Sequence, residues 1–396
     1  MFDLIITVAI ILMLIGMIYS IYQLPIIFYG VIKLKNKEDI DDPEFNDLVS
    51  VIVPAKNEEK VIGRCLDSIL NQTYKNIEVI VVEDGSSDRT LEICKEYEKK
   101  DKRIKCYHRD ISNGKPSALN YALKISRGNI IATFDADSIL EKDTIYRALI
   151  EMHSRNLDAL QGENYSVNSK ENIITRIGFI DQGLIKLALL GRNAFDLFLP
   201  LGGSNQYFRR EVLEELNGWD ERYLTEDLEI SLRMNIKNKK IAYSTSVRCG
   251  QETPSKMGEF VKQRTRWYRG YHQVLFHSKK EIRNKKHLDS LLVISAPLIS
   301  SLWFISLILL AIGVIMHSIT STQLIFLIYF GLFLFVLNLI SIILISIKNY
   351  RILAYLPIAY IYWFISSVIS LYSLMLELLK RERRWLKVEK TGRVTN

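Results

Sequence analysis

Three shortages constrain this chain. Cysteine is scarce: Cys65, Cys94, Cys106 and Cys249 are the four in 396 residues, and no two form a C-x-x-C pair. That argues against zinc ribbons and dithiol redox motifs and fits buried free thiols in a reducing compartment. His108, His153, His272, His277, His287 and His317 show no ligand spacing, so no histidine metal centre is expected. Ser204 has no evident base partner, which argues against a serine hydrolase. Internal repeats and low-complexity tracts are missing too.

The third shortage is of charge, and it is local. Residues 1–32 carry little charge beyond Asp3, and residues 291–316, 323–347 and 353–376 are apolar runs with almost none. A helix needs about 20 apolar residues to span a bilayer. Four membrane segments follow, one before and three after a soluble block. The N-terminal run lacks a small-residue cleavage site and reads as an anchor. The spans offer too few polar residues for a transporter.

The net charge of +8 is concentrated beside these runs: Lys33, Lys35 and Lys37; Lys279, Lys280, Arg283, Lys285 and Lys286; Lys380, Arg381, Arg383 and Arg384. That is the positive-inside pattern, with contact to anionic membrane lipid, and it argues against a nucleic-acid partner. The soluble block is expected in the cytoplasm of a multi-pass protein at the cell membrane. Three spans after it would place the basic tail outside, against the same rule. Either one apolar segment lies in the interface or the tail is an exception.

Within the block, apolar runs at 49–53, 77–82 and 129–134 and a short segment at 103–108 read as strands, and polar-capped segments between them as helices. Asn57 reads as a helix N-cap with Glu58 and Glu59 in the first turn. This alternation predicts an α/β fold with a mostly parallel, doubly wound sheet. Further on, a helix spans 143–155 and a strand 158–166, and an amphipathic segment at 172–190 suits the membrane surface. A strand is expected at 206–208, a helix from Thr225 to about Asn238, and a basic, aromatic-rich interfacial helix at 255–277. The organisation is an anchor (1–32), a linker (33–47), a catalytic domain (48–254), an interfacial helix (255–288), three transmembrane or interfacial helices (289–379) and a basic tail (380–396).

The chemistry gathers at strand ends. Asn129–Ser138 closes a buried strand with Asp135 and Asp137, one residue apart, where ligands of open α/β sheets bind. Such a pair suits a hard cation shared with a diphosphate, and equally a strand-ending turn. Asp84 follows the strand at 77–82 and can accept from a nucleotide's base or ribose, or simply sit in a solvated turn. Asn113-Gly114-Lys115 opens a helix whose free N–H groups and ammonium suit phosphate. Glu226 and Asp227 begin another helix, where acids stabilise any helix and one can act as a general base. Gln263, Arg266 and Trp267 share one helical face, as phosphate donors and a flat platform for a sugar ring or as membrane-interface anchors.

Six motifs in order, V-S-V-I-V-P-A-K-N-E-E, E-V-I-V-V-E-D-G-S-S-D, N-G-K-P-S-A-L-N, F-D-A-D-S, L-T-E-D-L-E-I-S-L-R and Q-R-T-R-W, followed by membrane segments, resemble membrane-bound family 2 glycosyltransferases, the group of cellulose, chitin, hyaluronan and poly-N-acetylglucosamine synthases. The tail W-L-K-V-E-K-T-G-R is similar too. The resemblance implies a GT-A-type nucleotide-sugar domain. It implies that Glu58 and Asp84 hold uridine, Lys115 contacts phosphate, and Asp135 and Asp137 hold Mg²⁺ or Mn²⁺. Asp227 would be the base, Gln263 and Arg266 would grip the diphosphate, and Trp267 with Glu226 would border the acceptor. Glu83 departs from the family's usual Asp. The implied reaction is inverting, metal-dependent transfer from a UDP-sugar to a growing glycan, processive. The alternatives are a single addition to a polyprenyl phosphate or glycolipid, and a non-catalytic nucleotide-sugar-binding membrane protein.

Overall fold

The computed structural model describes residues 2–35, 44–279, 282–316, 355–383 and 387–395, with Ile325, Tyr329, Gly331 and Ile340 as isolated helical positions. The apolar run 323–347 thus lies almost wholly outside the described residues, as do Lys37, Lys280, Arg384 and Trp385.

Strands β1 (Val49–Ala55), β2 (Ile77–Glu83), β3 (Ile104–His108), β4 (Ile130–Thr133), β5 (Ile139–Leu140), β6 (Ala159–Ser166), β7 (Gln206–Arg209) and β8 (Ile241–Gln251) form one sheet in the order β3-β2-β1-β4-β7-β6-β8-β5. β1 pairs in parallel with β2 and β4, and β2 with β3. β7 runs antiparallel between β4 and β6, and β6 and β8 are parallel again. The sheet is therefore mixed, with the expected parallel half intact.

Alternation along the strands explains why these runs are largely apolar. Val51, Val53, Val79 and Val81 face one layer, with Ile62, Leu66 and Ile69 of α2 (Ile62–Leu70) and Ile145 and Leu149 of α5 (Thr144–Ser154). Ile52, Ile80 and Val82 face the other, with Leu119 of α4 (Lys115–Ile125) and Ile230 and Met234 of α8 (Glu226–Ile236). Strands buried on both faces are apolar at most positions; the buried Ser50 of β1 is satisfied by Glu78 of β2 at 2.6 Å.

Several expectations are corrected. β1 continues through Pro54, and Asn57 is no N-cap. Its φ is +54°, its side chain accepts from the Ser87 N–H at 2.7 Å, and α2 begins only at Ile62. Pro25 does not end α1, which runs from Phe2 to Lys35. The 291–316 run is broken at Ser295, between α10 (Lys285–Ile294) and α11 (Ala296–Ile315). β5 and β8 were not foreseen.

The amphipathic segment at 172–190 forms α6 (Ile173–Ala194) and packs along α1. A Cβ at Gly30 would lie 2.0 Å from the Leu187 carbonyl oxygen, and one at Gly191 would lie 1.9 Å from that of Ile26. The two backbones touch through these glycines, as small residues permit between membrane helices. Among the described residues three helices are long and apolar enough to cross a membrane: Leu4–Leu34, Ala296–Ile315 and Tyr360–Leu378, the last within the helix Leu356–Leu378.

The tail returns to the α/β domain. Thr391 and Gly392 donate their backbone N–H groups to Glu252, and Thr395 donates to the Val167 carbonyl at 2.8 Å.

Gly191→Leu should force α1 and α6 apart and cost about 3 kcal/mol or more. Gly258→Leu, where an added Cβ meets nothing within 4 Å, should leave the thermal unfolding midpoint in detergent nearly unchanged.

Candidate active site

The parallel pairing of β1, β2 and β4 sets their carboxyl ends on one edge. The loops that follow carry Glu58, Asp84 and the pair Asp135 and Asp137. With Lys115, Glu226, Asp227, Gln263, Arg266 and Trp267 they line one cavity of about 970 Å³. All ten residues singled out in the sequence come together there.

Asp84 is buried and fully engaged. Its carboxylate accepts from the Arg109 guanidinium (Nε at 2.8 Å), the Ser112 hydroxyl at 2.6 Å and the Gly114 N–H at 3.2 Å, so it also shapes the loop that starts α4. Glu83 does not border the cavity; it accepts from the Ser86 N–H at 2.6 Å and pairs with His108 at 2.5 Å.

Lys115 is the hub. Its ammonium lies 2.7 Å from Asp135 Oδ1, 2.7 Å from the Gly203 carbonyl and 3.4 Å from Glu226 Oε1. Burial works against its charge, but the Asp135 and Glu226 carboxylates outweigh that and hold it protonated. Asp227 beside it is pushed up to about 7, first by burial and then by the Glu226 charge, against the pull of Lys115 and Arg266. Its Oδ1 accepts from the Leu228 N–H at 2.8 Å.

Four holders were not read from the sequence. Ser204 Oγ accepts from the Asp135 N–H at 3.0 Å and fixes the turn between the two aspartates. Gly203, with φ +78°, leaves room for Asp227: a Cβ there would stand 3.0 Å from Asp227 Oδ2. From the tail, Lys390 reaches Asp137 Oδ2 at 2.5 Å and Lys387 reaches Glu58 Oε1 at 3.5 Å. Glu58 is pushed up to about 7, chiefly by burial, with Lys387 opposing and Asp137 adding to the shift. The doubled glycine and the tail motif were the only signals of these contacts.

Among the described residues no group of three or more His, Cys, Asp or Glu forms a metal cage. Asp135 and Asp137 nevertheless fit a divalent cation. Both border the cavity, and Asp137 already holds a positive charge in the Lys390 ammonium. Two carboxylates are what a cation needs when a diphosphate supplies its other oxygens.

Residues 50–217 match the model of glycosyl transferase family 2. They are a family 2 glycosyl transferase domain. Asp227 and the Gln263–Trp267 stretch lie beyond the matched residues. The chain is 33 % identical over 234 residues to the probable glycosyltransferase YdaM of Bacillus subtilis, covering 57 % of this chain and 56 % of that one. It is 31 % identical to the beta-monoglucosyldiacylglycerol synthase of Trichormus variabilis, covering 57 % and 49 %. It is 28 % identical to the poly-beta-1,6-N-acetyl-D-glucosamine synthase of Staphylococcus epidermidis, covering 64 % and 62 %. The match thus spans about half the length of the first two relatives. Mannosyltransferase PcManGT from Pyrobaculum calidifontis, solved with GDP-Man and Mn²⁺, shares the fold of the glycosyl transferase chain over 96 % of this chain and 100 % of its own, with TM-score 0.70 and 19 % identity.

Gly203→Ala should cost about 1–2 kcal/mol from the left-handed backbone alone. It should lower the melting temperature, whereas Gly202→Ala, whose nearest neighbour would be 3.7 Å away, should not.

Proposed function

We propose that this protein transfers a sugar from a UDP-sugar to an acceptor hydroxyl at the cytoplasmic membrane face, with inversion and with a divalent metal. The observation that carries this reading is Asp227. A carboxylate pushed up to about 7 at the wall of the cavity, linked through Lys115 to the Asp135 rim, is matched to proton abstraction near neutral pH.

In this reading the β1, β2 and β4 edge takes the nucleoside diphosphate. Glu58 and Asp84 face the uridine, and Lys115, Gln263 and Arg266 face the phosphates. Mg²⁺ or Mn²⁺, held by Asp135 and Asp137, would neutralise charge on the leaving UDP. Asp227 removes the acceptor's proton as that oxygen attacks the anomeric carbon from the side opposite UDP. One displacement inverts the centre, and no second nucleophilic carboxylate takes part. Trp267 and Glu226 border the acceptor.

The first reading of the product is a growing glycan, made processively. Its support is the six-motif pattern and the likeness to a poly-N-acetylglucosamine synthase. A second reading, one sugar added to a membrane lipid, is favoured by a specific observation. The cavity reaches Ala296, Pro297 and Ser300 of α11 and Tyr362 of the last helix, both candidate spans. The positive-inside pattern supports a cytoplasmic domain. The place of Asp227 at the cavity wall beside Lys115 favours an enzyme over a purely nucleotide-sugar-binding protein.

Asp227→Asn tests the assignment. Transfer should fall by about 10²- to 10⁴-fold, while calorimetric titration with UDP and Mn²⁺ finds affinity within about twofold of the parent. Loss of UDP binding in this variant would refute the base role.

A further inference from the structure

The helix α9 (Met257–His277) carries Gln263, Arg266 and Trp267 in its first half. Gly270 and Gln273 follow at i+4 and i+7 from Arg266, on the same side of the helix. Both are buried, and neither borders the cavity. What they meet is the segment from Arg222 to Thr225, which leads into α8 and so to Asp227.

Gln273 is 2 % exposed and uses both ends of its amide. Its Nε2 donates to the Arg222 carbonyl at 2.6 Å, and its Oε1 accepts from the Leu224 N–H at 3.1 Å. Only this orientation of the amide fits, because a carbonyl can only accept and an N–H only donate. Tyr223 and Leu224 are buried, so the backbone between them and the helix needs such partners. One side chain thus pairs the loop as a neighbouring strand would.

Gly270 brings the next residue into contact. A Cβ there would stand 2.3 Å from Thr225 Cγ2 and 2.5 Å from Thr225 Oγ1, so Thr225 rests on bare helix backbone. Thr225 is the N-cap residue of α8 but makes no side-chain cap bond. Contact with α9, and not capping, therefore fixes where α8 begins. Leu228 and Leu232 of α8 continue the contact with Val274 of α9. The Asp227 carboxylate, two residues past Thr225, faces Lys115 of α4, Glu226 of α8, and Arg266 and Tyr271 of α9.

We propose that Gln273 and Gly270 are positioning residues for the base: they seat the segment from Arg222 to Thr225 on α9 and so hold Asp227 at the cavity wall. This rests on the transferase reading above and deepens it. Neither residue reaches substrate, so both act through Asp227. The helix that presents Gln263 and Arg266 to the diphosphate also carries the seat of the base. Donor grip and proton abstraction thus share one rigid element.

The test uses the full-length protein in nanodiscs with Mn²⁺, UDP-glucose and UDP-N-acetylglucosamine in turn, and cellotetraose or 1,2-dioctanoylglycerol as acceptor. UDP release is read across the pH range around neutrality. Gln273→Met keeps the side chain's length and removes both hydrogen bonds. It should lower kcat about tenfold or more, with donor KM and calorimetric UDP affinity within about twofold of the parent. Burial is the largest effect raising the Asp227 carboxyl, so a loosened segment that admits water should lower its pKa. The acidic limb of turnover should then move down by about half a pH unit or more. Gly270→Ala, which pushes Thr225 off the helix, should give the same split, and it decides the matter if Gln273→Met does not purify folded. Gly258→Ala on the same helix, where an added Cβ meets nothing within 4 Å, should match the parent. A kcat within about twofold of the parent, a fall in kcat matched by lost UDP affinity, or an unmoved acidic limb overturns the positioning role and leaves the transferase reading standing. A parent that releases no UDP from either donor overturns both.

Discussion

The Lys115 ammonium is the contact on which the rest of the site depends. It starts α4, yet its charge is spent on three other parts of the chain: Asp135 after β4, the Gly203 carbonyl before β7 and Glu226 at the head of α8. A buried cation is tolerated only when partners compensate its lost hydration. Here those partners are the residues that the proposed reaction needs. The strand edge with the Asp135 rim and the helix with Asp227 are held to each other by one nitrogen.

That tie also sets the division of labour. The parallel half of the sheet delivers carboxylates at its carboxyl edge, and basic residues from α4 and the returning tail balance them. The antiparallel strand β7 brings Gly203 and Ser204 up beside Asp135, where Ser204 fixes the aspartate turn and Gly203 makes space for Asp227. α6 and α9 (Met257–His277) then line the part of the cavity beyond that edge. Close packing of α6 on α1 joins that part to the N-terminal helix, a candidate membrane span.

Much of this was legible in the sequence, for physical reasons. Strands buried on both faces are apolar at most positions, so β1, β2 and β4 stood out, with acids in the segments that follow them. The Gln263–Trp267 spacing gave one face of α9. The rest depended on tertiary contact. β8 carries Ser, Thr, Arg and Gln among its apolar residues, so no continuous run marked it. Asn57 looked like a cap because local chemistry favoured it, but Ser86 and Ser87 bind it in a left-handed turn instead. Lys390 meets Asp137 across 253 residues of sequence, a pairing that only the folded chain reveals. The same holds for the tail as a whole, whose Thr391, Gly392 and Thr395 bond back to the α/β domain.

The most direct test of this account is the pH dependence of UDP-sugar turnover in Lys115→Met. Lys115 pulls the Asp227 carboxyl down against burial and Glu226, which together hold it up near 7. A base must be ionised, so turnover of the parent should fall as pH drops through about 7. Without the ammonium Asp227 should hold its proton to higher pH, and the acidic limb should move up by about one pH unit or more while UDP binding weakens. A variant with weakened UDP binding and an unmoved limb would contradict the claim that one lysine couples the donor site to the base.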